Sequence, residues 1–205
     1  VRTLNMELLS TILGQLISVG AIALIIVFQP ELRRFLQVIG MRQKHFNFIT
    51  RIFSTGDDTV QTNVVPIVTA CREMSETKTG ALIVIGQQSD LRLIAEGGIA
   101  LDAKVSTSLL KNIFFKNAPL HDGAVLIEGD RIVAAKCILP VTQSDVPKSY
   151  GTRHRAAIGM SEISDAIIIV VSEETGGISI AQGGELRRDI DPVRLQQTLQ
   201  RYLTI

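Results

Sequence analysis

Residues 8–28, LLSTILGQLISVGAIALIIVF, carry no charged side chain. As a helix rising ~1.5 Å per residue the run is about 31 Å long, which matches the roughly 30 Å apolar core of a bilayer. No other feature constrains the chain as much, because a segment in lipid must satisfy its own backbone polar groups. The run ends in Phe28-Gln29-Pro30-Glu31, without the small residues of a signal-peptide cleavage site. Gly14, Gly20 and Ala21 suit close helix packing in lipid. A buried core helix is the competing reading. Arg2 is the only basic residue before the run, whereas Arg33, Arg34, Arg42, Lys44 and Arg51 follow it. The positive-inside bias predicts that everything after Phe28 is cytoplasmic. The chain starts at Val1 and reaches the span within a few residues, so further spans upstream are expected.

Pro30 ends or kinks the helix at the membrane exit. Leu32, Phe35, Leu36 and Ile39 recur at helical spacing, with Arg33 and Arg34 on another face. They predict an amphipathic helix at the membrane surface or a dimer contact; an extension of the span fits equally well. Residues 31–56 are therefore assigned to this helix and a basic linker, and the soluble domain is expected from Asp57 to Ile205. At 205 residues there is room for one well-buried domain plus an appendage. Lys+Arg is 21 and Asp+Glu is 20, so the net charge of +1 argues against a nucleic-acid partner. Aromatics are 4% and Trp is absent, which leaves no base-stacking platform. Two cysteines exclude a disulfide scaffold; Cys71 and Cys137 lie in apolar runs and read as reduced core residues.

Helices and strands then alternate. Thr59 to Ser75 places Val60, Val64, Ile67, Val68, Cys71 and Met74 on one helical face. Gly80 to Gly86 is a buried strand bounded by glycines, Leu91 to Ala95 a short strand, and Gly97-Gly98 a turn. Ser106 caps a helix carrying Leu109, Leu110, Ile113 and Phe114. Gly123 to Glu128 and Arg131 to Leu139 are strands joined by a Gly129-Asp130 hairpin turn. Arg155 to Ile163 is a helix, Ala166 to Val171 and Gly177 to Gln182 are strands, and Pro192 to Tyr202 is a closing helix. The pattern predicts an α/β domain: a mixed twisted β-sheet flanked by helices.

Three polar clusters interrupt this framework. His121-Asp122-Gly123-Ala124 opens into a strand, where Gly allows close approach to a ligand; taken alone, it reads equally as a turn in which Asp bonds its own backbone. Thr152-Arg153-His154-Arg155 stands at a helix start, where guanidinium forks and free N–H groups suit phosphate, or it is a solvated basic turn. Ser172-Glu173-Glu174-Thr175-Gly176-Gly177 follows a strand; adjacent carboxylates suit a hard cation such as Mg²⁺ or Mn²⁺, or form a polar hairpin tip. Arginines, an Asp and paired Glu in one cleft describe nucleoside triphosphate chemistry. Neither a Walker A pattern nor a dinucleotide fingerprint is present.

Leu120-His121-Asp122-Gly123-Ala124 with Gly151-Thr152-Arg153-His154-Arg155-Ala156-Ala157 resembles the motif pair of diadenylate cyclase (DisA N-terminal type) domains, which make cyclic di-AMP and pyrophosphate from two ATP. Asp122 and Arg153 are 31 residues apart, and the third cluster and Gly80-Ala-Leu-Ile-Val-Ile match too. The resemblance covers about Thr59 to Gly184, and the preceding span with Gln29-Pro30-Glu31-Leu32-Arg33 resembles the membrane-bound branch, which has three spans. The resemblance implies that Asp122 orients or deprotonates the attacking 3′-hydroxyl or helps hold the metal, and that Gly123 and Ala124 meet the ligand. It implies that Thr152, Arg153, His154 and Arg155 bind the phosphates and stabilise the developing charge, that Ser172 touches phosphate, and that Glu173 belongs to the ATP-binding set. Glu174, with His121 and Asp122, is the implied site of Mn²⁺ or Mg²⁺, with Co²⁺ as a further candidate. Ile138 and Leu139 are the implied adenine lining; Ile138 stands where the family often has Tyr. A face-to-face homodimer, a bacterial cell membrane with the catalytic domain in the cytoplasm, and YbbR-domain and phosphoglucosamine mutase partners are implied as well. The rival reading is a catalytically inactive, membrane-anchored sensor of ATP or cyclic di-AMP.

Overall fold

The computed structural model describes residues 63–147 and 149–203, together with 15, 20, 24 and 28. The apolar run 8–28 therefore lies almost wholly outside the described residues, as do the amphipathic stretch, the linker and the first residues of the expected Thr59–Ser75 helix. Gln15, Gly20 and Leu24 are helical, and among the described residues no helix is long and apolar enough to cross a membrane. The chain divides into two units, Val1–Gly40 and Met41–Ile205.

The second unit runs α1 (Val64–Glu76), β1 (Ala81–Ile85), α2 (Arg92–Glu96), β2 (Ile99–Lys104), α3 (Thr107–Ile113), β3 (Ala124–Glu128), β4 (Arg131–Cys137), α4 (Thr152–Ile163), β5 (Ile167–Val171), β6 (Ile178–Gln182), β7 (Glu185–Arg187) and α5 (Pro192–Leu203). Its seven strands form one mixed sheet in the order β2-β4-β3-β1-β5-β6-β7. β1 and β5 are buried along their whole length, which is why their sequences ALIVI and IIIVV are continuous apolar runs and do not alternate. Residues 83, 85, 125, 127, 167, 169 and 171 face α1, α3 and α5 in one core; residues 82, 84, 124, 126, 168 and 170 face α2 and α4 in the other. The period of two along each strand thus builds a three-layer sandwich.

Local chemistry sets the element ends. Asn63 and Ser106 cap α1 and α3 by accepting the N–H of Val65 and Leu109. Cys71 and Cys137 are free and buried, as expected. Leu91 to Ala95 is corrected from strand to helix. Leu91 and Ile94 are buried three residues apart while Leu93 is exposed, and Asp90 accepts the Arg92 N–H at the entry. α4 begins at Thr152, three residues earlier than expected. β2 and β7 were not foreseen: both are edge strands with mostly exposed side chains, and β2 is bent where Asp102 takes φ +47°.

Strand direction places the site. β1 and β3 are parallel (Ile83 beside Val125), whereas β5 is antiparallel to β1 (Ala81 beside Val171). The entry of β3, the entry of β1, the exit of β5 and the exit of β4 therefore share one end of the sheet.

Candidate active site

The first cluster stands at the entry of β3. Gly123 has φ +144°, and a Cβ there would lie 2.7 Å from the carbonyl carbon of Lys136 and 2.8 Å from its Cα. Both the dihedral and the neighbouring backbone of β4 require glycine. Asp122 is exposed and Ala124 is buried as the first residue of the strand. His121 Nδ1 lies 2.6 Å from the Ala118 carbonyl oxygen. A carbonyl only accepts, so Nδ1 is the donor of this bond, and in the neutral ring Nε2 is then the nitrogen free to accept or to ligate.

The second cluster is the first turn of α4. Its N-cap is Gly151, with no side-chain cap and no acidic residue in the turn, so its free N–H groups and positive end are left for an anion. Arg153 Nη1 donates to Glu173 Oε2 at 2.7 Å, which brings the second and third clusters into contact. The pair passes directly over Gly80: a Cβ there would sit 2.8 Å from Arg153 Nη1 and 3.0 Å from Glu173 Oε2. Gly80 is a site residue the sequence reading missed as such, because its role depends on side chains from two later elements. Arg153 is 21% exposed and Glu173 63%.

His154 behaves differently from its neighbours. It is buried, at 7% exposure, with the Tyr150 ring 5.7 Å away, and Arg188 stands 5.3 Å from that ring. Burial first, and the Arg188 charge second, push its pKa below the ordinary histidine value. Near pH 7 it is neutral, so the charge of this cluster is carried by Arg153 and Arg155. Thr152 is exposed at the helix tip.

The third cluster is a turn organised by Ser172, whose Oγ accepts the N–H groups of Glu174 and Thr175 at 3.3 Å. Ser75 on α1 donates to the Gly176 carbonyl at 2.6 Å and fastens the turn. Glu174 is exposed. Ile138, 80% exposed, follows β4 at this same end, whereas Leu139 is buried in the core beneath α4. Of the two, only Ile138 offers a surface to a ligand.

His121, Asp122 and Glu174 do not form a ready three-donor cation site; no such group of His, Cys, Asp and Glu occurs among the described residues. β1 separates β3 from β5, which puts their ends roughly 10 Å apart. The donors nevertheless fit a hard cation that keeps waters and takes ligands from a substrate's phosphates, since such an ion needs only one or two protein groups. The Nδ1–H bond of His121 to a carbonyl is also the partner a metal-ligating imidazole usually has.

The fold and its polar end thus define an α/β domain equipped for a nucleotide's phosphates. Comparison with known proteins agrees. The family model for the DisA bacterial checkpoint controller nucleotide-binding domain matches residues 68–186, and that for the CdaA N-terminal transmembrane domain matches residues 1–32. The chain belongs to this family, whose members include proteins named diadenylate cyclase, and it is membrane-associated through its N-terminal part. It is 41% identical to cyclic di-AMP synthase CdaA of Bacillus subtilis over 198 residues, 96% of this chain and 71% of that protein. It is 43% identical to a diadenylate cyclase of Listeria monocytogenes over 200 residues, 97% of this chain and 72% of that one. A crystal structure of a double mutant of DacA from Staphylococcus aureus superposes with a TM-score of 0.66 at 42% identity, covering 72% of this chain and 96% of that one. The crystal structure of a protein described as a hypothetical membrane spanning protein from Bacillus cereus gives 0.62 at 39% identity, covering 82% of this chain and 80% of that one.

Proposed function

We propose that this chain is a diadenylate cyclase that joins two ATP into cyclic di-AMP and releases two pyrophosphates. The observation that carries the reading is the register of β3, β1 and β5. It turns three clusters far apart in sequence, His121–Ala124, Thr152–Arg155 and Ser172–Glu174, toward one end of the sheet. In each half-reaction the 3′-oxygen of one ATP bonds to the α-phosphorus of the other. The bond from that phosphorus to the bridging oxygen breaks, and pyrophosphate leaves. Asp122 orients the hydroxyl and accepts its proton. Arg153, Arg155 and the free N–H groups of α4 stabilise charge developing on the phosphates, and Ser172 and Thr152 supply neutral donors. Neutral, buried His154 sets the helix's first turn in place. Ile138 offers an apolar face to the base.

His121 and Glu174 would hold Mn²⁺ or Mg²⁺ delivered with the triphosphate, and such a cation supplies charge neutralisation at the phosphates. One domain carries one site, and the product is symmetric, so two copies meet face to face about a two-fold axis. The basic flank after residue 28 supports a cytoplasmic catalytic domain.

The test is product analysis by mass spectrometry on the full chain in lipid, with ATP and Mn²⁺. The wild type is expected to yield cyclic di-AMP, and Asp122→Asn to bind ATP without making it. ATP binding with no product from the wild type would replace the enzyme with a nucleotide sensor.

A further inference from the structure

Fourteen residues, 138–151, join β4 to α4. That is long for a connection in a compact domain, and it links the exposed Ile138 to the Gly151 cap of the arginine-bearing helix. The connection is fastened along the side of α4. Thr142, 6% exposed, donates from its N–H to the Arg155 carbonyl at 3.2 Å. Its Oγ1 donates to Glu162 Oε1 at 2.5 Å and accepts the Ser144 N–H at 3.1 Å. Ser144 Oγ donates to the same Glu162 oxygen at 3.1 Å. One carboxylate two turns down α4 from Arg155 thus gathers two hydroxyls of the segment, and hydrogen bonds to a charged acceptor are the stronger kind.

We propose that Glu162 is a positioning residue for nucleotide binding. Through Thr142 and Ser144 it sets the segment that starts at Ile138 against the helix that carries Arg153 and Arg155. The separation between the base surface and the phosphate surface is thereby fixed. The inference rests on the nucleotide reading above, and it makes the two halves of one ligand respond differently to one substitution.

The experiment measures binding of α,β-methylene-ATP, whose α–β bridge cannot break, and of inorganic triphosphate to the full chain in lipid. Glu162→Ala is expected to weaken the ATP analogue about tenfold, the scale of losing charged hydrogen bonds, and to leave triphosphate unchanged. Glu162→Gln, whose amide oxygen accepts the same hydroxyls, is expected to restore analogue binding. Ser144→Ala, at an exposed position, removes only one of the two bonds and covers the case in which Glu162→Ala does not fold; it is expected to weaken the analogue about threefold. Equal weakening of both ligands, or of neither, overturns the proposal. A wild type that binds triphosphate and the analogue equally well overturns it too. A wild type that binds neither brings down the nucleotide reading itself.

Discussion

Gly159→Ala sets two ordinary rules against each other. Gly159 lies inside α4, where helix propensity alone favours Ala by about 1 kcal/mol. The structure reverses the sign. A Cβ at this position would collide with the Pro140 carbonyl oxygen, and would lie 2.5 Å from the Thr142 nitrogen and 2.7 Å from the Val141 carbonyl carbon. All three are backbone atoms, so no side-chain end can swing aside, and the 140–142 segment must shift. Overpacking of this kind costs about 1–3 kcal/mol. Offset by the propensity gain, the net is a destabilisation of up to about 2 kcal/mol, or a fall in Tm of roughly 4–8 °C at worst for a domain this size. Thermal unfolding of the full chain, followed by far-ultraviolet circular dichroism, reads it. Because the same segment carries Thr142, affinity for α,β-methylene-ATP is expected to fall as well. A rise in Tm with affinity unchanged would refute the argument, since propensity would then have prevailed over a contact that does not exist.

Gly80→Ala is expected to lower kcat/KM about tenfold to a hundredfold with little change in Tm, because its Cβ meets only the movable tips of Arg153 and Glu173; a large loss of Tm would show that the site is not where the cost falls. Gly123→Ala meets backbone at φ +144° and is expected to lose both activity and about 1–3 kcal/mol of stability, read by product assay and by melting. Burial raises the thiol of Cys71 to about 12 and that of Cys137 to about 11, so neither reacts with iodoacetamide at pH 8 until the domain unfolds. Their contribution to stability is present below the ordinary thiol range and is lost as pH rises through those values. The depressed pKa of His154 works in the other direction: its contribution is present above the ordinary histidine value and is lost as pH falls below it. Tm is expected to drop between pH 7 and 5, and His154→Gln to flatten that drop.

What was legible in the sequence follows from where information is local. ALIVI and IIIVV announce buried strands, Gly129-Asp130 announces a hairpin, and Ser106 a cap, because each signal lies within a few residues. Leu91 to Ala95 was misread because five residues with apolar side chains at 91, 93 and 94 satisfy a period of two nearly as well as a helical one. β2 and β7 escaped because edge strands need bury little. The three polar clusters were visible as motifs. Their meeting in one cleft was expected from the chemistry they share; the geometry that delivers it was not legible, since it depends on β1 pairing in parallel with β3 and antiparallel with β5. Gly80 gave no sign of its role, because the side chains above it arrive 73 and 93 residues later. The lowered pKa of His154 likewise comes first from its burial in the folded domain and then from the charge of Arg188 on a distant loop.

The pairing of β1 with β5 has a consequence for the making of the protein. Ala81 and Ile167, at the starts of those two strands, are 86 residues apart in the chain, and β3, the strand on the other side of β1, is also synthesised later. At roughly 5–20 residues per second, ALIVI leaves the ribosome some 4–17 s before its second neighbour exists. During that time an uncharged, β-branched segment with both edges unpaired is open to any strand it meets. The apolar run at residues 8–28 precedes ALIVI in the chain, so the segment matched by the transmembrane family model is made before the first strand of the sheet.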